Sequence, residues 1–239
     1  MNFLGDVVTW FTASAHWHGA NGIPHRLEEH VVMSAAAVGA ALLIAVPPSL
    51  ALGHLRRFGA LAVNISNVGR AIPSFAILVL GVQVVGIGSK PAFFALLVLA
   101  IPPLVTNSYV GMAEVDPEIR ESARGMGMTG WQSITRVEIP VALPVLLAGV
   151  RTAAVQVVAT ATLAAIVAWG GLGRYIIDGL AQRDSVQVFA GALLVAVLSV
   201  LTELSLALLQ RFVVSAGLTG RHPGKNEPFV GAATTAEAT

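Results

Sequence analysis

The chain has 239 residues, of which 55% are hydrophobic and 11% charged, and its mean hydropathy is +0.77. Soluble domains carry roughly 25% charged residues, so this composition is that of an integral membrane protein. The net charge of +1 gives no sign of a nucleic-acid partner, and the absence of cysteine excludes disulfides, thiolate catalysis and cysteine-based metal sites.

Residues 1–28 read as an N-terminal extracytoplasmic or interfacial segment. They are mildly amphipathic, and they lack the basic start and small-residue cleavage site of a removed signal peptide. Trp10, Phe11 and Trp17 suit a membrane-interface belt. His16 and His18 alternate without acidic or cysteine company, so no metal site is assigned to them.

Residues 29–213 read as one membrane domain. A first span is expected from Val31 to Gly53, with Pro47 and Pro48 in its last turns, where neighbouring helices satisfy freed carbonyls. The next apolar stretch, Gly59 to Gly88, would make roughly 45 Å of helix. It is interrupted at Ile72-Pro73-Ser74. One long tilted or kinked helix is the preferred reading, and two half-length pieces the alternative. Further spans are expected from Ala92 to Met112, bent at Pro102-Pro103, from Val145 to Trp169, and from Val186 to Val213. A Gly-rich connection separates the last two. Residues 214–239 are small and polar, as in a disordered tail. The expected fold class is therefore all-α, a polytopic membrane protein with about five transmembrane helices.

The polar interval from Asp116 to Pro144 stands apart from this oily background. Asp116-Pro117-Glu118 is a strong helix start: Asp116 accepts from first-turn amides, Pro117 needs no donor there, and Glu118 suits the positive end of the dipole. Gly127 is placed to end that helix in a left-handed turn. Thr129 with Gln132 reads as a second capping box, and Pro140 and Pro144 are expected to close the interval. A helix from Pro117 to Met126 would put Ile119, Ala123 and Met126 on one narrow face, suited to a groove on a partner protein. Gly125–Gly130 matches G-x-G-x-x-G, but a charged helix precedes it rather than a buried strand, so the match is coincidental. The chain has no P-loop and cannot bind ATP through one of its own.

Basic residues set the orientation. With five spans, Arg56, Arg57, Arg120, Arg124, Arg136, Arg211, Arg221 and Lys225 fall on one side, against Arg26, Lys90, Arg174 and Arg183 on the other. That bias places the N-terminus outside, and the polar interval and the tail in the cytoplasm.

Glu121-Ser122-Ala123, then Gly127, then Val137-x-Ile139-Pro140 resembles the EAA loop of binding-protein-dependent ABC importer permeases. Ser122 stands where that pattern has alanine, a small-for-small exchange. Ala71-Ile-Pro-Ser-Phe75, Val115-Asp-Pro, Ala148-Gly-Val-Arg-Thr152, and Ala159-Thr-Ala-Thr-Leu163 followed by Gly170-Gly-Leu-Gly173 are similar to the osmoprotectant branch of that family. The resemblance covers about 31–212. It implies a permease for glycine betaine, carnitine, choline or proline betaine in a bacterial inner membrane. It implies as partners a cytoplasmic ABC ATPase subunit, a second permease subunit and an extracytoplasmic substrate-binding protein, all in a lipid membrane. It also implies that ATP and Mg are bound by the ATPase subunit, with no cofactor and no catalytic residue in this chain. Glu121, Ser122, Ala123, Arg124, Gly127, Ile139 and Pro140 are then the ATPase-coupling residues. The alternatives are a permease for an amino acid or sulfonate, or a secondary transporter without an ATPase, for which matched broken helices are lacking.

Ionisable side chains within spans cost about 2.5–3.5 kcal/mol each and default to a functional role. Arg151 and Glu203 lie at matching depths in oppositely directed spans, which suggests an ion pair; snorkelling to headgroups is the alternative. Arg70 lies deeper, beside the Pro73 break, where it either lines the pathway or ties the break to neighbouring carbonyls. The polar residues available to a pathway are Asn64, Asn67, Ser74, Gln83, Asn107, Gln156, Thr160 and Thr162. In such importers the binding protein supplies affinity, commonly through an aromatic cage, while the pathway binds weakly.

Overall fold

Small residues recur every three or four positions along the first long helix, α2 (Ile23–Leu55), at Ser34, Ala37, Ala41 and Ala45, and all are buried. Such a stripe lets membrane helices approach closely. It packs against Leu96, Ala100 and Leu104 of α4 (Ser89–Ala113) and against Ala153, Ala154 and Val157 of α7 (Ile139–Thr160). These three helices form the centre of the molecule. The computed structural model describes residues 2–57, 59, 64, 67–69 and 71–214, and among these it contains helices and no strands.

The remaining elements are α1 (Phe3–Thr12), α3 (Ser74–Val85), α5 (Pro117–Gly125), α6 (Gly130–Ser133), α8 (Gly173–Gln182) and α9 (Ser185–Val213). A π-helical turn, Ile134–Glu138, joins α6 to α7, and a 3-10 stretch, Ala161–Val167, follows α7. Four of the described helical runs are long and apolar enough to cross a membrane: Ile23–Leu55, Ser89–Ala113, Gly130–Val167 and Ser185–Val213. Both Pro102 and Pro103 lie within α4 without breaking it.

Two boundaries differ from expectation. α2 starts at Ile23, not Val31, because its charged first turns are held: Arg26 Nη1 donates to Glu29 at 2.8 Å, and Glu29 accepts from the Gly171 amide at 2.8 Å. The helix ahead of Val145 is continuous from Gly130, so Pro140 and Pro144 do not close the polar interval. The Ile139 amide donates to the Ile134 carbonyl five residues back, and this wider turn ends just before Pro140, which has no amide to place. In the 59–88 stretch the break falls where expected, with Pro73 extended ahead of α3. At 12 residues α3 is shorter than the roughly 20 needed for a crossing. The first half of that stretch overlaps residues outside those described, and Arg70 is one of them. Of the expected tail, 214–239, all but Val214, which caps the end of α9, lies outside the described residues.

The N-terminal segment is drawn into the fold. Phe3 meets Phe189 of α9 edge-on at 5.4 Å. Trp10 stacks on His16 at 4.0 Å and meets Tyr175 edge-on at 5.4 Å. Trp10 is thus buried core rather than interfacial, because Tyr175 of α8 and α9 supply an apolar wall that the local pattern does not reveal. Trp17 remains exposed and donates to the Phe11 carbonyl at 2.7 Å.

Candidate functional site

The polar interval folds as a short helix, a turn and a second helix. Asp116 caps α5 by accepting from the Glu118 amide at 2.8 Å, with Pro117 in the first turn. At the other end Gly127 adopts φ +77°. Its amide donates to Arg124 at 2.9 Å, and the Met128 amide donates to Ala123 at 3.1 Å. This paired bonding closes α5 with a left-handed residue that only glycine adopts without strain. Thr129 and Gln132 form a reciprocal capping box on α6.

The helix presents one face and buries the other. Glu118, Ile119, Glu121, Ser122 and Arg124 are exposed, as are Met126 and Gly127 in the turn. The expected stripe of Ile119, Ala123 and Met126 is divided: Ala123 is 1% exposed and packed inward, while Met126 is 70% exposed. Arg120, three residues before Ala123, shares the inward face and is also buried. Ile139 is half-buried beside Met112, Val115, Ala142 and Leu146, and Pro140 is half-buried next to it. These two residues root the element in the membrane domain rather than extend its exposed face.

Beneath α5 lies a group of charges that motif spacing did not single out. Glu138 has no exposed surface. It accepts from His54 Nδ1 at 2.8 and 2.9 Å and from Ser133 Oγ at 3.0 Å, and Arg120 Nη2 lies 3.2 Å away. Ser133 and Glu138 are five residues apart, and the π-helical register between them turns both inward. Burial pushes the Arg120 guanidinium below its ordinary pKa, and the Glu138 carboxylate opposes that shift. Arg120 stays charged at neutral pH. The only sequence signal was a glutamate between the two apolar residues Val137 and Ile139.

The other candidate residues are scattered. Ser74 and Thr160 line one narrow pocket, otherwise walled by apolar residues such as Leu78, Leu96 and Leu163. Asn64, Asn67 and Gln83 are exposed. Asn107 donates to the Pro103 carbonyl at 2.8 Å and lies at the seam between α4 and Gly149 of α7, where a Cβ on the glycine would come within 2.6 Å of Asn107 Cβ. Gln156 is half-buried in α7, and Thr162 Oγ1 donates to the Ala159 carbonyl at 2.9 Å. Arg151 and Glu203 are in direct contact, as their matched depths suggested. Among the described residues no group of His, Asp or Glu is arranged to hold a metal ion.

Residues 37–215 match the family described as binding-protein-dependent transport system inner membrane component. Among relatives, the glycine betaine/carnitine/choline transport system permease protein OpuCB of Bacillus subtilis is 35% identical over 82% of this chain and 90% of its own length. The carnitine transport permease protein OpuCB of Listeria monocytogenes is 35% identical over 87% of this chain and 93% of its own. The osmoprotectant import permease protein OsmW of Salmonella typhimurium is 32% identical over 80% and 91%. In backbone, the chain superposes on inward facing structures of the MetNI methionine ABC transporter with a TM-score of 0.68. That match is 24% identical and covers 79% of this chain and 94% of that one.

Proposed function

The chain belongs to the family of binding-protein-dependent transport system inner membrane components, and from that premise we propose that it is the permease subunit of an ABC importer for osmoprotectants. The substrate class is quaternary amines such as glycine betaine, carnitine and choline. The observation that carries this reading is the similarity, at 32–35% identity over most of the chain, to permeases named for those amines or for osmoprotectants. The family is a multi-pass inner-membrane component that works with a separate ATPase and a binding protein, so the chain is a transport subunit and not an enzyme.

The exposed face of α5, with Glu121, Ser122 and Arg124 and the turn at Gly127, docks on the ATPase subunit. Ala123, Ile139 and Pro140 hold that face on the membrane domain. Two such permease chains, alike or related, bring two coupling elements to two ATPase subunits. ATP binding draws the elements together and opens the pathway outward, and hydrolysis resets it. The basic residues around α5 favour a cytoplasmic position for it, with the N-terminus outside. Ser74 and Thr160, which share a pocket, are the strongest pathway candidates.

The test is uptake of labelled glycine betaine, choline and carnitine into vesicles holding the reconstituted complex, with methionine and taurine as controls. ATP-dependent accumulation of one or more of the quaternary amines is expected. Transport of methionine or taurine instead would replace the substrate class, and uptake without the ATPase would remove the importer reading.

A further inference from the structure

The Glu138 carboxylate is where four segments of the chain meet. His54 comes from the last turn of α2, Arg120 from α5, and Ser133 from the end of α6. Arg120 extends the group by donating to the His54 carbonyl at 3.0 Å and to the Met112 carbonyl near the end of α4. Arg56 ties the same corner by donating to Val115 at 2.8 Å. The ends of α2 and α4 approach so closely that a Cβ on Gly53 would lie 2.6 Å from Met112 Cβ.

The exposed face of α5 has a different connection to the molecule. Among the described residues, the side chains of Glu121, Ser122 and Arg124 bond to nothing in the chain. A load placed on that face therefore passes inward through Arg120 and Ala123 and through the two ends of the helix. Apolar contacts such as those of Ala123 resist separation but allow sliding. Charge-assisted hydrogen bonds to one carboxylate fix direction and register. A buried ionic group is also a poor choice for stability alone, since well-packed apolar residues often serve as well or better.

We infer that Glu138 is a positioning residue for energy coupling: it locks α5 to the ends of α2 and α4 and to the start of α7, so that movement of the docked helix becomes movement of the spans. The inference rests on the permease reading. It separates two jobs within the element, with the exposed face binding the ATPase and the Glu138 group transmitting the stroke.

The test uses the assembled transporter in vesicles and follows three quantities: retention of the ATPase subunit, ATP turnover, and substrate moved per ATP. Glu138→Gln is expected to leave the first two unchanged and to lower the third about ten-fold. This chain has no cysteine, so His54→Cys with Glu138→Cys introduces its only thiol pair. That double variant is expected to be uncoupled until a short bis-methanethiosulfonate linker joins the pair, and coupled afterwards. Normal coupling in Glu138→Gln overturns the proposal. So does a linked pair that stays uncoupled, or a loss of ATPase retention that the linker does not repair, which would assign Glu138 to the fold alone. Uptake by the unmodified complex in the same vesicles reads the transport assignment separately.

Discussion

Arg151 of α7 and Glu203 of α9 form an ion pair across 52 residues of chain, with Arg151 Nε 3.4 Å from Glu203 Oε2. Arg151 Nη1 also donates to Gln210 Oε1 at 2.9 Å, and the Gln210 amide group reaches the Pro144 carbonyl at 3.2 Å. The pair sits within membrane-spanning helices, yet its side chains keep 30% and 40% of their surface exposed. Together with the Gln210 bonds it joins α9 to α7 of the central group.

Removing one partner leaves the other charge in a span without compensation. Arg151→Met and Glu203→Gln should each lower thermal stability in detergent, and the double variant should lose less than the sum of the two. The expected interaction energy is on the order of 1 kcal/mol or more. Additive losses, or a neutral Glu203→Gln beside an inactive Arg151→Met, would show that the contact has no energetic weight.

Gly127 and Gly125 separate backbone strain from crowding. A Cβ at either position would meet nothing within 4 Å, but only Gly127 has a positive φ. Gly127→Ala should cost about 1–2 kcal/mol locally, loosening the end of α5 and lowering ATPase retention. Gly125→Ala, in ordinary helical backbone, should keep both. Co-purification of the ATPase subunit with each variant is the measurement; equal behaviour would remove the left-handed turn from the account.

Much of the Asp116–Pro144 interval was legible because capping chemistry is local. Asp116, Gly127, Thr129 and Gln132 each act on residues within five positions, and the structure makes every one of those bonds. The matched depths of Arg151 and Glu203 were legible for a related reason: helical rise converts sequence distance into height. Glu138 was not. Its partner His54 is 84 residues away, and its inward direction depends on a π-helical turn that apolar spacing does not encode. The start of the fourth span was misplaced for the same reason, since the two prolines look like a stop unless the wider turn ahead of Pro140 is known. Trp10 looks interfacial in the sequence because nothing near it announces Tyr175.

The burial of Trp10 makes its own prediction. Trp10→Ala should destabilise the protein by roughly 3 kcal/mol, the usual cost of emptying a buried aromatic site. Trp17→Ala, at a position 45% exposed, should lie within about 0.5 kcal/mol of the unmodified protein. Thermal unfolding in detergent distinguishes the two. Equal small losses would return the N-terminal segment to the membrane interface.

One introduced thiol shows whether the exposed face of α5 meets the ATPase subunit. Because the chain has no cysteine, Met126→Cys places a single reactive group at the end of that helix, and Val84→Cys on α3 places one at a comparably exposed control position. With a thiol-to-amine cross-linker added to the assembled transporter, a covalent product is expected between the Met126→Cys chain and the ATPase subunit, and none from Val84→Cys. An ATPase-linked product from Val84→Cys but not from Met126→Cys would contradict that contact.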